Sequence, residues 1–359
     1  MPSTRPTLDT VAKAAGVSRM TVSNAYNRPD QLSATTRERV LKAAAALGYP
    51  GPDPAGRSLR RRRADTVGVL LTERLPTAFT DPGLVSLMRG LSTELGAARQ
   101  AVLLVPAEAD LDGSLVRNAL VDAFVVCSMG PTDPAVASVV GRRLPVVTVG
   151  SPKLPGIPHV SVDNRVAGAL AGQHLGALGH RRVGVVALVG RDPSLPDDAA
   201  VPIRSGSRER VAGCTQALTE AGVPATSVTV AEVRANSAAA GRAAAAELLA
   251  TPSRRRPTAI FAVTDVLALG VLEAAAAAGL RVPHDLSVVG FDDIPEAARA
   301  EPPLTTVSQQ LYEQGQSAAR LVLQLLDGQR VRAPRFTPKL MVRGTTAPPY
   351  SRRALIVPG

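Results

Sequence analysis

Thr7-Leu-Asp-Thr-Val-Ala-Lys-Ala-Ala-Gly-Val-Ser-Arg-Met-Thr-Val-Ser-Asn-Ala-Tyr-Asn27 decides how the rest of the chain is read. Thr7 stands where an N-cap belongs, and Val11, Ala12 and Ala15 then share one helical face. Gly16 ends that helix, because glycine adopts left-handed backbone without a steric penalty. Ser18 starts a second helix, with Val22 and Ala25 turned inward. Arg19, Met20, Thr21, Ser23 and Asn24 are left on or beside its outer face. A short helix with that outer face fits the DNA major groove, where hydrogen-bonding side chains reach base edges. Spacing alone also fits an αα-hairpin of any small helical domain.

The residue string is more specific than the spacing. Val-Ala-x-x-Ala-Gly-Val-Ser-x-x-Thr-Val-Ser, from Val11 to Ser23, resembles the DNA-reading end of the lac repressor (LacI/GalR) family, and the likeness continues through Asn27, Val40 and Leu47-Gly48-Tyr49. The resemblance implies that Thr7, Ser18, Arg19, Met20, Thr21, Ser23, Asn24 and Asn27 bind double-stranded operator DNA. Two positions depart from it. Thr10 stands where the family usually has Asp, which alters local capping. Asn24 stands where Arg is frequent, which shifts the operator preference, since Asn pairs with adenine edges and Arg with guanine.

Charge supports a polyanion-binding head. Of a formal net charge of +11, residues 1–64 hold twelve Lys/Arg against four Asp/Glu, and the remainder twenty-nine against twenty-six. A basic tail that only aids solubility does not explain helical periodicity in the same segment. After the loop from Asn27, Ser33 caps a third helix with Val40, Leu41, Ala44 and Leu47 on one face and Gly48 closing it. Arg37, Arg39 and Lys42 face outward, within reach of phosphates. Residues 1–50 are thus read as a helix-turn-helix domain.

Residues 51–64 read as a hinge. Pro50, Pro52, Pro54 and Gly56 disfavour regular structure in the free chain, so order is expected only on DNA. The resemblance makes this a hinge helix in which Leu59 wedges into the minor groove, with Arg57 beside it and Arg60 to Arg63 along phosphates. A plain linker is the alternative.

From Thr66 the pattern changes. Apolar runs such as Thr66–Leu71, Ala101–Val105, Ala123–Cys127 and Pro145–Val149 alternate with helical stretches, and a second set follows from Asn164. This βαβ rhythm implies parallel sheets covered on both faces. Ser161–Asn164, His174–His180, Ala259–Asp265 and Val288–Asp293 with Leu304–Thr306 resemble the periplasmic-binding-protein-like core of the same family. The expected fold is α/β: an all-α helix-turn-helix domain followed by a two-lobed domain with parallel sheets. The effector-binding and dimerisation domain spans 65–345, with lobe one about 65–162 and 295–328 and lobe two about 163–294 and 329–345. Residues 346–359 read as a frayed tail.

Ligands of such folds sit at strand carboxyl ends, between lobes. Asp163 and Asn164 follow Val160–Val162, Asp265 follows Ala259–Val263, and Asp292 follows Val288–Phe291. Arg210 lies in the helix after the irregular stretch 190–207. Carboxylates with a guanidinium suit a hydroxyl-rich ligand, and in the family the positions matching Arg210, Asp265 and Asp292 contact the effector. Helix capping is the competing role for each Asp. Phe79 is a candidate stacking platform or a loop aromatic. Arg191 to Asp198 forms a lid or a solvated loop. With nine aromatics in all, a sugar is favoured over a purine.

Other classes are disfavoured by missing signals. No Ser-His-Asp elbow, Walker loop or dinucleotide glycine pattern occurs, so no enzyme and no cofactor is expected. Cys127 and Cys214 read as reduced core residues, and the four histidines as surface or capping residues without metal-ligand spacing. No basic-then-apolar leader or spanning segment is read, so a cytoplasmic, nucleoid-associated protein without membrane contact is expected. The expectation is a homodimeric repressor controlled by a small-molecule effector. The alternative is an α/β ligand-binding protein or enzyme with an appended nucleic-acid-binding head.

Overall fold

The computed structural model describes residues 6–52, 63–72, 75–107, 112–130, 133–189 and 205–350. Arg57, Leu59 and most of the expected hinge, the stretch Arg191 to Asp198 and residues 351–359 lie outside the described residues. The chain divides into two compact units, Met1–Asp65 and Thr66–Gly359.

In the first unit, helix α1 is Leu8–Ala15, α2 is Arg19–Asn27 and α3 is Ala34–Ala46. Thr7 and Thr10 form a reciprocal capping box: the Thr7 N–H donates to Thr10 Oγ1 (2.7 Å) and the Thr10 N–H to Thr7 Oγ1 (3.3 Å). The Thr10 hydroxyl therefore supplies the capping acceptor at the position where the family resemblance leads one to expect Asp. Gly16 has φ +61°, and its N–H closes onto the carbonyls of Ala12 and Lys13. The small core holds Val11, Ala12, Ala15, Val22, Ala25, Val40, Ala44 and Tyr49. One expectation fails here. Leu47 is 41% exposed, because Gly48 at φ +62° reverses the chain and swings Tyr49 inward instead. Tyr49 meets Tyr26 edge-on, with ring centroids 6.0 Å apart.

The second unit contains two sheets. The first has five parallel strands in the order β2-β1-β3-β4-β5: β1 Thr66–Leu71, β2 Ala101–Pro106, β3 Ala123–Cys127, β4 Val146–Val149 and β5 His159–Val160. Around it lie α4 Leu75–Ala78, α5 Pro82–Ala97, α6 Ser114–Asn118 and α7 Pro134–Gly141. The buried runs of β1 and β3 fit strands covered on both faces. Cys127 is buried in this lobe and Cys214 in the other; burial pushes both thiols up to about 12. The second sheet has the order β11-β10-β9-β8-β6-β7, with β6 Val183–Leu188, β7 Val228–Val233, β8 Ala259–Ala262, β9 Ser287–Asp292, β10 Thr305–Ser308 and an antiparallel β11 Lys339–Met341. Its helices are α8 Asn164–Ala177, α9 Ser205–Glu220, α10 Ala238–Leu249, α11 Asp265–Ala277 and α12 Pro295–Arg299. Among the described residues no helix is long and apolar enough to cross a membrane.

Helix α13, Leu311–Leu326, packs its Ala318, Ala319, Leu321 and Val322 into the core of the first sheet. The chain therefore returns to the first lobe at Gln309–Gln310, not near residue 295 as the sequence reading placed it. The reason is pairing: β10 lies in parallel register on β9, and Ala297, Leu304 and Val307 belong to the second core. Val162 and Phe336 form a parallel bridge where two crossings run side by side. Nor is the whole segment after 345 frayed. The Ala347 N–H donates to Ser287 Oγ, and the ring nitrogens of His174 and His180 meet Thr346 Oγ1 and the Ala347 carbonyl. His180 is thus a buried structural residue, 1% exposed, and not the surface residue expected from its isolation in the sequence.

Candidate nucleic-acid interface and ligand cleft

Helix α2 is positioned by its cap and by two small inward residues. Ser18 Oγ accepts from the Thr21 N–H at 3.1 Å and also meets the Thr21 hydroxyl at 2.9 Å. Val22 and Ala25 are buried against the other helices. Met20 is 72% exposed, and Arg19 makes an exposed 3.6 Å pair with Asp9. Such a pair contributes little and is readily exchanged for a phosphate or base. Ser23 and Asn24 are half-buried, and Asn27 turns back to donate to the Ser23 carbonyl at 3.0 Å. Thr7, Ser18 and Asn27 thus have structural roles in the head itself. Arg37, Arg39 and Lys42 are exposed along α3.

The second site is built at the carboxyl ends of β8 and β9. Arg210, on the first turns of α9, points back across the lobe. Its Nε donates to Asn164 Oδ1 (2.8 Å) and its Nη1 to the Val263 carbonyl (2.8 Å). Nη1 stands 3.8 Å from Asp292 Oδ1, and the guanidinium carbon lies 3.6 Å over the Phe291 ring. Burial pushes the Asp292 carboxyl well above its ordinary value, with Arg210 opposing and Asp265 and Asp81 adding to the rise. Burial likewise lowers Arg210, against the carboxylates near it. Gln309 Nε2 donates to Asp292 Oδ1. Asp292 and Asp293 both have positive φ, +119° and +62°; non-glycine residues held there cluster at functional sites. A cavity of about 210 Å³ adjoins them, lined from one lobe by Ser86 and from the other by Asp292, Asp293 and Ser308.

The structure thus brings Asn164, Arg210 and Asp292 together. Asp265 is close but wholly buried: its carboxylate accepts from the Ile294 N–H (2.9 Å) and from Thr306 Oγ1, and burial raises it to about 6. It does not line the cleft, and the cap of α11 is Thr264, not Asp265. Asp163 is exposed and accepts from the N–H groups of Arg165 and Val166, which makes it the cap of α8. Phe79 is 67% exposed after α4.

Three further cleft residues were not singled out from the sequence. Asp81 caps α5 through the Leu84 N–H (3.0 Å), and its other oxygen accepts from Asn236 Nδ2 of the second lobe (2.9 Å). Asn236 Oδ1 in turn accepts from Thr264 Oγ1 (2.6 Å). Asn236 and Gln309 each follow a strand closely, and the rule that ligands sit beyond strand ends applies to both. Asp81, before Pro82-Gly83, reads from sequence as a cap alone. Among the described residues no group of His, Cys, Asp and Glu is placed to hold a metal.

A helix-turn-helix head ahead of a two-lobed α/β body with a polar interlobe cleft is the architecture of a ligand-controlled DNA-binding regulator. Comparison with known proteins agrees. Residues 7–51 match the model of bacterial regulatory proteins of the lacI family, and residues 173–346 that of the periplasmic binding protein-like domain. An HTH-type transcriptional regulator of Mycobacterium tuberculosis is 43% identical over 334 residues, 90% of this chain and 91% of that one. The transcriptional regulator CelR in complex with cellobiose is 32% identical with a TM-score of 0.65, covering 95% of this chain and all of that one. The lac repressor dimer bound to operator and the anti-inducer ONPF is 25% identical with a TM-score of 0.77, covering 96% and 100%. The chain belongs to the LacI family of HTH-type transcriptional regulators.

Proposed function

We propose that the protein is a homodimeric repressor that acts in the cytoplasm on nucleoid DNA and is controlled by a small polyol bound between its lobes. Two copies of α2 read the half-sites of a near-palindromic operator. Arg19, Met20, Thr21, Ser23 and Asn24 approach base edges, while Thr7, Ser18 and Asn27 hold the head in shape and offer backbone and hydroxyl contacts to phosphates. Arg57 and Leu59 act in the hinge. Asn164, Arg210 and Asp292 contact the effector, with Phe79 as an optional outer wall; Asp163 and Asp265 support the site from behind. Within the body, lobe one resumes at Gln309–Gln310, and lobe two takes in Thr305–Ser308 and runs on past residue 345 to Ala347. An effector acts only through different affinities for the DNA-bound and released states, a coupling of about 1–3 kcal/mol.

The observation that carries this reading is the solvent-facing Arg19 and Met20 on a capped recognition helix in a strongly basic head. Support for dimer and operator comes from the lac repressor complex, and for a sugar-like effector from the CelR–cellobiose complex. The test is a gel shift on DNA upstream of the protein's own gene, titrated with salt. A steep negative dependence on salt, and loss of binding in Arg19→Ala, are expected; binding that ignores both would reject the proposal.

A further inference from the structure

We propose that Asp9 is a positioning residue for operator reading: paired with Arg19, it turns that guanidinium to a guanine and away from phosphate, so that each half-site carries a G·C base pair beneath the two side chains. This rests on the reading of α2 as the recognition helix and deepens it. Asp9 Oδ2 stands 3.6 Å from Arg19 Nη1, and both side chains are exposed. The pair joins two helices, because Asp9 lies on α1 and Arg19 opens α2. Those helices are held together by Val11, Ala12 and Ala15 of one and Val22 and Ala25 of the other. The carboxylate therefore stands on a fixed platform beside the guanidinium. The N-terminus of α1 is already closed by the Thr7–Thr10 box, so Asp9 is not its cap. Other polar groups of α2 and its cap turn to one another: Ser18 meets Thr21 at 2.9 Å, and Asn27 donates to the Ser23 carbonyl.

A guanidinium with no carboxylate beside it goes to phosphate as readily as to a base, and phosphate contacts carry no sequence information. Asp9 changes that choice. Its charge repels phosphate oxygens, and it does so in a segment, residues 1–64, that holds twelve basic side chains and four acidic ones. For DNA in general such a carboxylate only lowers affinity. Towards one base pair it is an advantage. Guanine offers N7 and O6 as acceptors in the major groove, and its partner cytosine offers the N4 amine as a donor. Arginine carries five N–H donors, and an ionised aspartate only acceptors. Side by side, Arg19 takes the guanine edge while Asp9 accepts from the cytosine amine or from a remaining guanidinium N–H. In an A·T pair the adenine amine faces the guanidinium and thymine O4 faces the carboxylate, donor on donor and acceptor on acceptor.

The test selects duplexes with full-length protein from a pool randomised over about 20 base pairs, two turns of helix. Wild type is expected to enrich half-sites with a G·C pair that Arg19→Ala no longer demands. Wild-type affinity should fall about tenfold or more when that pair is changed to A·T. In Asp9→Asn this drop should shrink at least about threefold, while binding to a duplex of unrelated sequence tightens and its salt slope steepens by about one contact per protomer. Asp9→Glu keeps the carboxylate and should keep the preference. In the Arg19→Ala background, adding Asp9→Asn should leave base preference unchanged. A role in α1 stability alone would lower head helicity and weaken binding to both duplexes alike, with their ratio unchanged, and that result overturns the proposal. So does an Asp9→Asn protein that retains the full G·C preference, or an Arg19→Ala protein whose choice changes at no G·C pair. Wild type that enriches no sequence overturns the operator reading as well; wild type that enriches an operator whose selection ignores Asp9 overturns this inference alone.

Discussion

Arg210 holds the second lobe's end of the cleft together by geometry that no other cation reproduces. Its planar fork donates sideways to Asn164 and forward to Val263 while its face lies on Phe291. A lysine has neither the fork nor the flat face. Arg210→Lys should therefore leave a buried acceptor unpaired and destabilise the body by about 2 kcal/mol, read as an earlier urea midpoint by circular dichroism. Arg210→Ala should cost more, by leaving Asp292 without its cation, and adding Asp292→Asn should recover part of the loss. In the head, Ser18→Ala removes the acceptor for the Thr21 N–H and should cost about 1 kcal/mol. The signature is an earlier loss of head helicity with unchanged melting of the body.

At the scale of elements, paired glycines set the distances between helices. A Cβ on Gly168 of α8 would overlap the Arg210 carbonyl of α9, and one on Gly213 of α9 the Arg165 carbonyl of α8. The same reciprocity joins Gly90 and Gly315 of α5 and α13, and Gly241 and Gly270 of α10 and α11. These helices meet backbone to backbone, so any side chain forces them apart. Gly315→Ala should cost about 1–3 kcal/mol, measured as a lowered thermal midpoint. Gly96→Ala in α5 makes the control, since a Cβ there meets nothing within 4 Å; it should stabilise by about 0.5–1 kcal/mol. The α8–α9 contact also serves the site, because it fixes the turn from which Arg210 reaches Asn164.

For the molecule as a whole, the segment after residue 345 stitches onto the second lobe through His174, His180 and Ser287. Burial lowers His180 to about 4. The folded state thus holds it neutral where the unfolded chain, with an ordinary histidine, binds a proton. Stability from this group is complete above about pH 6.5 and is lost as pH falls towards 4, reaching about 2 kcal/mol at pH 5. Thermal midpoints should fall between pH 7.5 and pH 5, and His180→Gln should flatten that slope.

Much of this was legible in the chain itself. Caps at Thr7, Ser18 and Ser33, apolar faces at helical spacing and runs of Val, Ala and Ile each dictate local structure, because backbone capping and side-chain periodicity act over a few residues. The string from Val11 to Ser23 was specific enough to point to the family; the strand ends pointed to Asn164 and Asp292, but equally to Asp163 and Asp265, and Arg210 was singled out from a helix by the resemblance. What only the tertiary structure decided is where distant segments meet. Asp81 and Asn236 are 155 positions apart, and no local rule pairs them. Asp265 looks like a cleft residue until Thr306 and Ile294 are seen to occupy it. Leu47 and Tyr49 exchange inside for outside at a single left-handed glycine, and β10 joins the second sheet because its register on β9 buries Val307. Burial and charge proximity are properties of the packed chain, and on them rest the electrostatics of the cleft.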